Sequence, residues 1–201
     1  MSASRPLFIA ACVILALLIG GAALTRVPEN GTVLTTGKAL VGGPFKLTDQ
    51  HGRAVSDSDF RGKYMLVVFG YTFCPDVCPA ELQVITAALD ELGPLADRIQ
   101  PVFITIDPER DTVPQLALYA GNFHPRLVLL TGTSAEIADV AKAYRVYYAK
   151  AEGSASTSRD YLMDHSSIIY LMGPDGQFVR HFTYTTDAAA LAQQLRQAIA
   201  R

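Results

Sequence analysis

Residues 65–82 read MLVVFGYTFCPDVCPAEL and contain a predicted strand followed by the start of a helix. The five apolar residues at 65–69 are typical of a strand that is covered on both faces. Beyond the two cysteines, apolar side chains recur at helical spacing from Ala80 to Leu92, and Gly93-Pro94 ends the pattern. A buried strand that leads into a helix is the repeating unit of an α/β sheet. This stretch therefore predicts the fold class.

The same alternation continues on both sides of this stretch. Further buried strands are predicted at 102–106 and 127–130, and helices at 113–123, 135–144 and 187–199. Short hairpins are predicted at 45–55 and, around Pro174-Asp175-Gly176, at 168–182. We expect a central mixed sheet with helices on both faces, parallel in its first half and ending in an antiparallel hairpin.

The amino-terminal segment has the pattern of a membrane anchor. Residues 7–24 contain no charge and are flanked by Arg5 and Arg26. As a helix they would span roughly 27 Å, close to the roughly 30 Å of a bilayer core. We predict a retained single-pass anchor over residues 1–26, and a signal peptide cleaved near residues 21–23 is the alternative. The anchor and the signal peptide both predict that the rest of the chain is exported. We expect the protein to lie in a bacterial inner membrane, with its domain in the periplasm.

Composition restricts the function of the remaining chain. Residues 27–43 are predicted to be a tether and residues 44–201 one domain, with a surface loop at 153–159. A net charge of −2 argues against nucleic-acid binding. The 3 cysteines are too few for a disulfide scaffold, so the fold must depend on a buried core.

Cys74 and Cys78 form a C-x-x-x-C pair after the buried strand, where open α/β sheets place functional groups. Cys78 falls at the amino end of the predicted helix, whose dipole favours a thiolate. Thiolates attack disulfides and bind soft metals, so the pair predicts either redox chemistry or a metal site. Pro75 and Pro79 brace the loop, which disfavours the alternative of two small core residues. Two sulfurs and one imidazole satisfy Cu(I), whereas structural zinc and iron–sulfur clusters normally need four protein ligands.

His165 is the expected third ligand. It lies just before the apolar run 168–172, and in a thioredoxin-like sheet the loop entering this late strand faces the cysteine loop. Asp164 is expected to orient the imidazole or to adjust the local charge. The three remaining histidines are expected to be solvated or packed: His51, His124 and His181.

The acidic stretch 107–112, DPERDT, permits two interpretations. Its carboxylates could hold a hard cation, or they could cap the helix that begins at Val113. Capping is the expected role.

Three separated motifs together resemble the Sco/SenC family: CPDVCP at 74–79, DPERDT at 107–112 and DHS at 164–166. The resemblance covers roughly residues 43–199, and an amino-terminal anchor is typical of the family. It implies a thioredoxin-like fold and a copper site at the positions of Cys74, Cys78 and His165. It also implies delivery of copper to the binuclear CuA centre of cytochrome c oxidase subunit II.

From these observations we expect a membrane-anchored copper metallochaperone. Cys74 and Cys78 would bind Cu(I) as thiolates and His165 would complete the site, while imidazole and a further oxygen ligand would also suit Cu(II). The expected partner is cytochrome c oxidase subunit II or another copper acceptor. The alternative is a thiol–disulfide oxidoreductase that reduces the CuA-site cysteines through Cys74 and Cys78, in which His165 is dispensable or at most modulates the thiolate pKa.

Overall fold

A computed structural model describes residues 40–151 and 161–200, and the elements below are those found within these ranges. The strands are β1 (Lys46–Asp49), β2 (Ala54–Ser56), β3 (Tyr64–Gly70), β4 (Ile99–Thr105), β5 (Val128–Thr131), β6 (Tyr148–Lys150), β7 (Met163–His165), β8 (Ile168–Met172) and β9 (Phe178–Thr183). The helices are α1 (Val77–Leu92), α2 (Val113–Ala120), α3 (Ser134–Ala143) and α4 (Ala188–Ile199), with 3₁₀ turns at Asp57–Phe60 and Gly93–Arg98.

Seven of these strands form one mixed sheet in the order β2-β1-β5-β4-β3-β8-β9. Strands β3, β4 and β5 run parallel, as the strand–helix alternation predicts. Strands β8 and β9 form the predicted antiparallel hairpin, and β8 pairs with β3. Strand β3 thus lies inside the sheet between β4 and β8, which explains its unbroken apolar sequence.

Every residue of β3 is buried, and its side chains alternate between two cores. Leu66 and Val68 lie in the core that α1 and α4 cover. Met65, Val67 and Phe69 lie in the core that α3 covers, and this second core also contains Cys78. The expectation of helices on both faces of a mixed sheet is confirmed.

Strands β6 and β7 form a separate two-stranded sheet, in which Tyr148 lies opposite His165. The sequence predicts a loop before β8, but the structure places His165 on a short strand. Each of these strands has only three residues, which is too short for an alternating pattern to be recognised.

The predicted anchor at residues 7–24 and the predicted loop at 153–159 lie outside the described residues, as do residues 27–39 of the predicted tether. In the part of the chain that the structure describes, no helix combines the length and the apolar character that a membrane span requires.

Candidate metal centre

Cys74 and Cys78 lie in the turn between β3 and α1. Helix α1 begins at Val77, so Cys78 is in its first turn, as predicted. The backbone N–H of Cys78 donates to Cys74 Sγ at 3.4 Å. Gly70, the last residue of β3, makes room for Cys78: a Cβ atom at Gly70 would lie 2.8 Å from Cys78 Sγ. A side chain at residue 70 would therefore displace one of the two sulfurs.

His165 reaches the same point from β7. Its Nε2 atom lies 3.4 Å from Cys78 Sγ. Its Nδ1 atom lies 3.1 Å from the Ser166 carbonyl oxygen, which can only accept, so Nδ1 carries a proton. In the neutral ring this leaves the Nε2 lone pair facing the sulfurs, as in a metal-ligating histidine. The ring also packs edge-on against Tyr71, with the centroids 6.1 Å apart.

The ligand atoms of Cys74, Cys78 and His165 all lie within 4.8 Å of one another. Zinc–thiolate bonds are about 2.3 Å long, so two sulfurs on opposite sides of such an ion would be about 4.6 Å apart. The group thus needs little contraction to hold one soft ion. Cys78 is 1% exposed, whereas Cys74 and His165 are only partly buried, which leaves one side of the group accessible.

The two cysteines differ in acidity. The Cys78 thiol donates to Cys74 Sγ, which lowers the pKa of Cys74 well below its ordinary value. The same interaction and burial raise the pKa of Cys78, so the thiolate that the sequence predicts at Cys78 lies at Cys74 instead. Burial lowers the pKa of His165, but hydrogen bonds to the Cys74 thiolate and the Ser166 carbonyl outweigh it, so the net shift is upward. A metal ion at this site must therefore compete with protons on Cys78 and His165.

Glu81 is a buried carboxyl group that the sequence analysis did not identify. It is 4% exposed, and its Oε1 atom has no hydrogen-bond partner among the described residues. Burial raises its pKa to about 7. The charge of Cys74 also raises this pKa, whereas the charge of His165 lowers it. One signal was present in the sequence: Glu81 follows Cys78 by three residues and precedes Ile85 by four, which places it on the buried face of α1.

Asp164 does not have the expected orienting role. It is exposed on β7 and lies opposite Ala149 in the ladder. Successive strand residues point to opposite faces, so its carboxylate lies on the face away from the His165 ring. The Ser166 carbonyl is the hydrogen-bond partner of the imidazole instead.

The expectation that the acids of 107–112 cap α2 is also wrong. Thr112 is the residue before α2, and no side-chain capping bond forms there. The fully buried Asp111 accepts hydrogen bonds from Thr72 N, Thr72 Oγ1 and Thr105 Oγ1. Asp107 accepts from Arg110 Nε and from the hydroxyl of Tyr161, at 2.7 Å for the latter. Both carboxylates therefore brace loops around the cysteines. Thr72 and Tyr161 lie too far from them in sequence for local patterns to reveal these contacts.

The other histidines lie apart from this group, as expected. His51 is in an exposed turn, His124 Nδ1 accepts from the Arg126 N–H, and the exposed His181 stacks on Phe178.

Comparison with known proteins identifies the family. The SCO1/SenC family model matches residues 34–200, and the chain belongs to this family. It is 47% identical over 148 residues to the human protein "SCO1 homolog, mitochondrial". The matched region covers 73% of this chain and 48% of the human protein. The chain thus spans about half the length of this relative.

Two solved structures extend the comparison. The first is Bradyrhizobium japonicum ScoI with copper bound, at 45% identity and a TM-score of 0.72, covering 78% of this chain and 98% of that one. The second is BsSco, described as a member of the Sco family of cytochrome c oxidase assembly proteins with a disulfide switch. It is 25% identical with a TM-score of 0.65, covering 80% of this chain and 94% of that one. The fold of the described residues is thus the thioredoxin-like fold of the Sco structures.

Proposed function

We propose that this protein is a copper metallochaperone that binds copper through Cys74, Cys78 and His165 and delivers it to the CuA centre of cytochrome c oxidase subunit II. The observation that carries the proposal is the approach of the three ligand atoms to within 4.8 Å of one another. It is supported by the relative ScoI, whose structure contains copper, and by the description of BsSco as an oxidase assembly protein.

The three ligands would have different roles in carrying copper. Cu(I) prefers soft ligands at low coordination number, and two thiolates with one imidazole meet that preference. Cys78 is buried against Gly70 and would hold the ion from inside. Cys74 and His165 lie on the accessible side, where an acceptor thiolate can approach and replace them one at a time. Transfer by ligand exchange would keep the ion bound throughout.

A second function is favoured by the different acidities of the cysteines. The lowered pKa of Cys74 makes it a thiolate, and the partly exposed Cys74 is the more accessible of the two. As a thiol–disulfide oxidoreductase, Cys74 would attack an acceptor disulfide and release one acceptor thiol. Cys78, after losing its proton, would then attack the mixed disulfide and release the second thiol, leaving a Cys74–Cys78 disulfide.

Anaerobic titration of the reduced full chain with Cu(I) distinguishes the two functions. The wild type should bind one equivalent, and Cys74→Ala and His165→Ala should each lose at least tenfold in affinity. His124→Ala is the matched control, because it removes an imidazole outside the site. Unchanged affinity in His165→Ala would refute the copper assignment. Reduction of one equivalent of a disulfide substrate by reduced, metal-free His165→Ala protein, at the wild-type rate, would favour the reductase.

We further propose that residues 7–24 anchor the chain in a bacterial inner membrane, with the copper site in the periplasm. The support is the uncharged length of this segment. The test is membrane fractionation: the full chain should resist extraction at alkaline pH, and a chain lacking residues 1–26 should be released. Quantitative extraction of the full chain would contradict the anchor.

A further inference from the structure

We propose that Arg110 is a positioning residue of the copper site, which holds the segment that carries Cys74 against the segment that carries His165. This inference rests on the proposed function, because it assigns Arg110 a role in the geometry of the same three ligands. Arg110 belongs to the DPERDT stretch, in which the sequence predicts helix capping by the acidic residues.

The guanidinium group of Arg110 is enclosed by aromatic rings, and the side chain is only 5% exposed. Its Cζ atom lies 3.6 Å from the ring centroid of Tyr161, 4.7 Å from that of Phe73 and 5.5 Å from that of Tyr71. A guanidinium is flat and weakly hydrated, so it stacks on aromatic faces at little desolvation cost. These rings come from two segments that are far apart in sequence.

Hydrogen bonds fix the guanidinium among these rings. Arg110 Nε donates to Asp107 Oδ2, and Nη1 donates to the Tyr161 carbonyl oxygen at 2.8 Å. The Tyr161 hydroxyl donates to the other oxygen of Asp107. Asp107, Arg110 and Tyr161 thus form a closed set of contacts. The orientation of the guanidinium plane is therefore fixed by these two acceptors, Asp107 and the Tyr161 carbonyl, which are themselves joined by the Tyr161 hydroxyl.

The enclosing rings connect Arg110 to two of the three copper ligands. Phe73 directly precedes Cys74 in the chain, and Tyr161 lies two residues before β7, the strand that ends at His165. Tyr71 joins the same two segments: its hydroxyl accepts from Met163 N at 3.2 Å, and its ring packs against His165. The distance between Cys74 and His165 thus depends on the stack around Arg110.

Cys78 depends on different contacts. It is held by the first turn of α1 and by its packing against Gly70. Loss of Arg110 should therefore loosen Cys74 and His165 while Cys78 stays in place. The expected result is a site that still binds copper, with lower affinity and with an altered ligand geometry.

Lysine cannot substitute for arginine at this position. A lysine ammonium could pair with Asp107, but it lacks the flat face that stacks on Tyr161 and Phe73 and cannot also reach the Tyr161 carbonyl in the same plane. Arg110→Lys thus keeps the charge and removes the stacking. Arg126→Lys is the matched control, because Arg126 also pairs with an aspartate, Asp97, but at the surface.

The test compares full-chain Arg110→Lys and Arg126→Lys proteins with the wild type. Cu(I) affinity is measured by competition with a chromogenic chelator, the thiolate-to-Cu(II) absorption band reports ligand geometry, and thermal unfolding of the same samples reports stability. We expect Arg110→Lys to lose at least tenfold in Cu(I) affinity and to shift the absorption band, while Arg126→Lys matches the wild type.

Two results would overturn the inference. One is a folded Arg110→Lys protein with wild-type affinity and spectrum. The other is a loss of affinity with an unshifted band and a lowered unfolding temperature, which would make Arg110 a purely structural residue. Should the wild type itself bind no copper, the proposed function fails. The NMR signals of the His165 ring in copper-free protein then test the positioning role, which requires those signals to shift in Arg110→Lys and not in Arg126→Lys.

Discussion

Replacing Glu81 by glutamine should remove a pH-dependent penalty on folding. The Glu81 carboxyl is buried with one oxygen unpaired among the described residues, and burial raises its pKa from 4.5 to about 7. Because the folded-state pKa lies above the unfolded value, the penalty is absent below pH 4.5. It grows between pH 4.5 and about 7, where the unfolded chain has lost this proton and the folded protein still holds it, and it is complete above pH 7. Each pKa unit corresponds to about 1.36 kcal/mol, so the full penalty is about 3 kcal/mol.

Glutamine has nearly the shape of the protonated carboxyl and does not ionise. At pH 4 the free energies of unfolding of wild type and Glu81→Gln should therefore be similar, and at pH 8 the variant should be more stable by about 3 kcal/mol. The assay is urea unfolding of reduced, copper-free protein at pH 4, 6 and 8. The thiols titrate in both proteins, so the difference between them reports residue 81 together with its charge coupling to His165 and Cys74.

Glu91→Gln is the matched control, because Glu91 lies on the same helix at the surface, paired with Arg196. Its effect should stay below about 0.5 kcal/mol at each pH. A difference between wild type and Glu81→Gln that is constant from pH 4 to pH 8 would refute the reasoning.

Three further predictions concern the cysteines and the loop that carries them. Gly70→Ala should reduce Cu(I) affinity at least tenfold in the chelator competition assay, because the new Cβ would lie 2.8 Å from Cys78 Sγ. Gly121→Ala should not, because its new Cβ would meet no atom nearer than the Leu118 carbonyl oxygen at 3.5 Å; equal affinities of the two variants would contradict the packing argument. Asp111→Ala should lower the free energy of unfolding by about 3 kcal/mol in urea titration, since three donors lose their acceptor. A loss under about 1 kcal/mol would show that the carboxylate is not needed for stability. Oxidation of Cys74 and Cys78 to a disulfide should abolish Cu(I) binding until a reductant is added, and retained binding would exclude the thiolates as ligands.

The sheet was predictable where strands are long and buried on both faces. Strands β3 and β4 have seven residues each, and apolar runs mark them clearly. The helix predicted at 113–123 ends at Ala120, because Gly121 begins a turn in which Asn122 and Phe123 donate to carbonyls three residues back. Short strands such as β6 and β7 carry too few residues to show a period.

The site was predictable in its ligands and less so in its surroundings. Cys74, Cys78 and His165 are distinguished by residue type and by their place at strand ends, and the structure brings them together. Glu81 was missed although its spacing from Cys78 and Ile85 places it on the buried face of α1. Arg110 was missed because its aromatic partners lie up to 51 residues away in the chain. The orienting role predicted for Asp164 was wrong, since adjacent strand residues face opposite sides.

The central claim is that two sulfurs and one imidazole nitrogen bind the same copper ion. X-ray absorption at the copper edge, on full-chain protein loaded with one equivalent of Cu(I), measures this directly. We predict a first shell of two sulfurs and one nitrogen in the wild type, and the loss of the imidazole signal in His165→Ala. An unchanged spectrum in that variant, or a shell without sulfur in the wild type, would contradict the account.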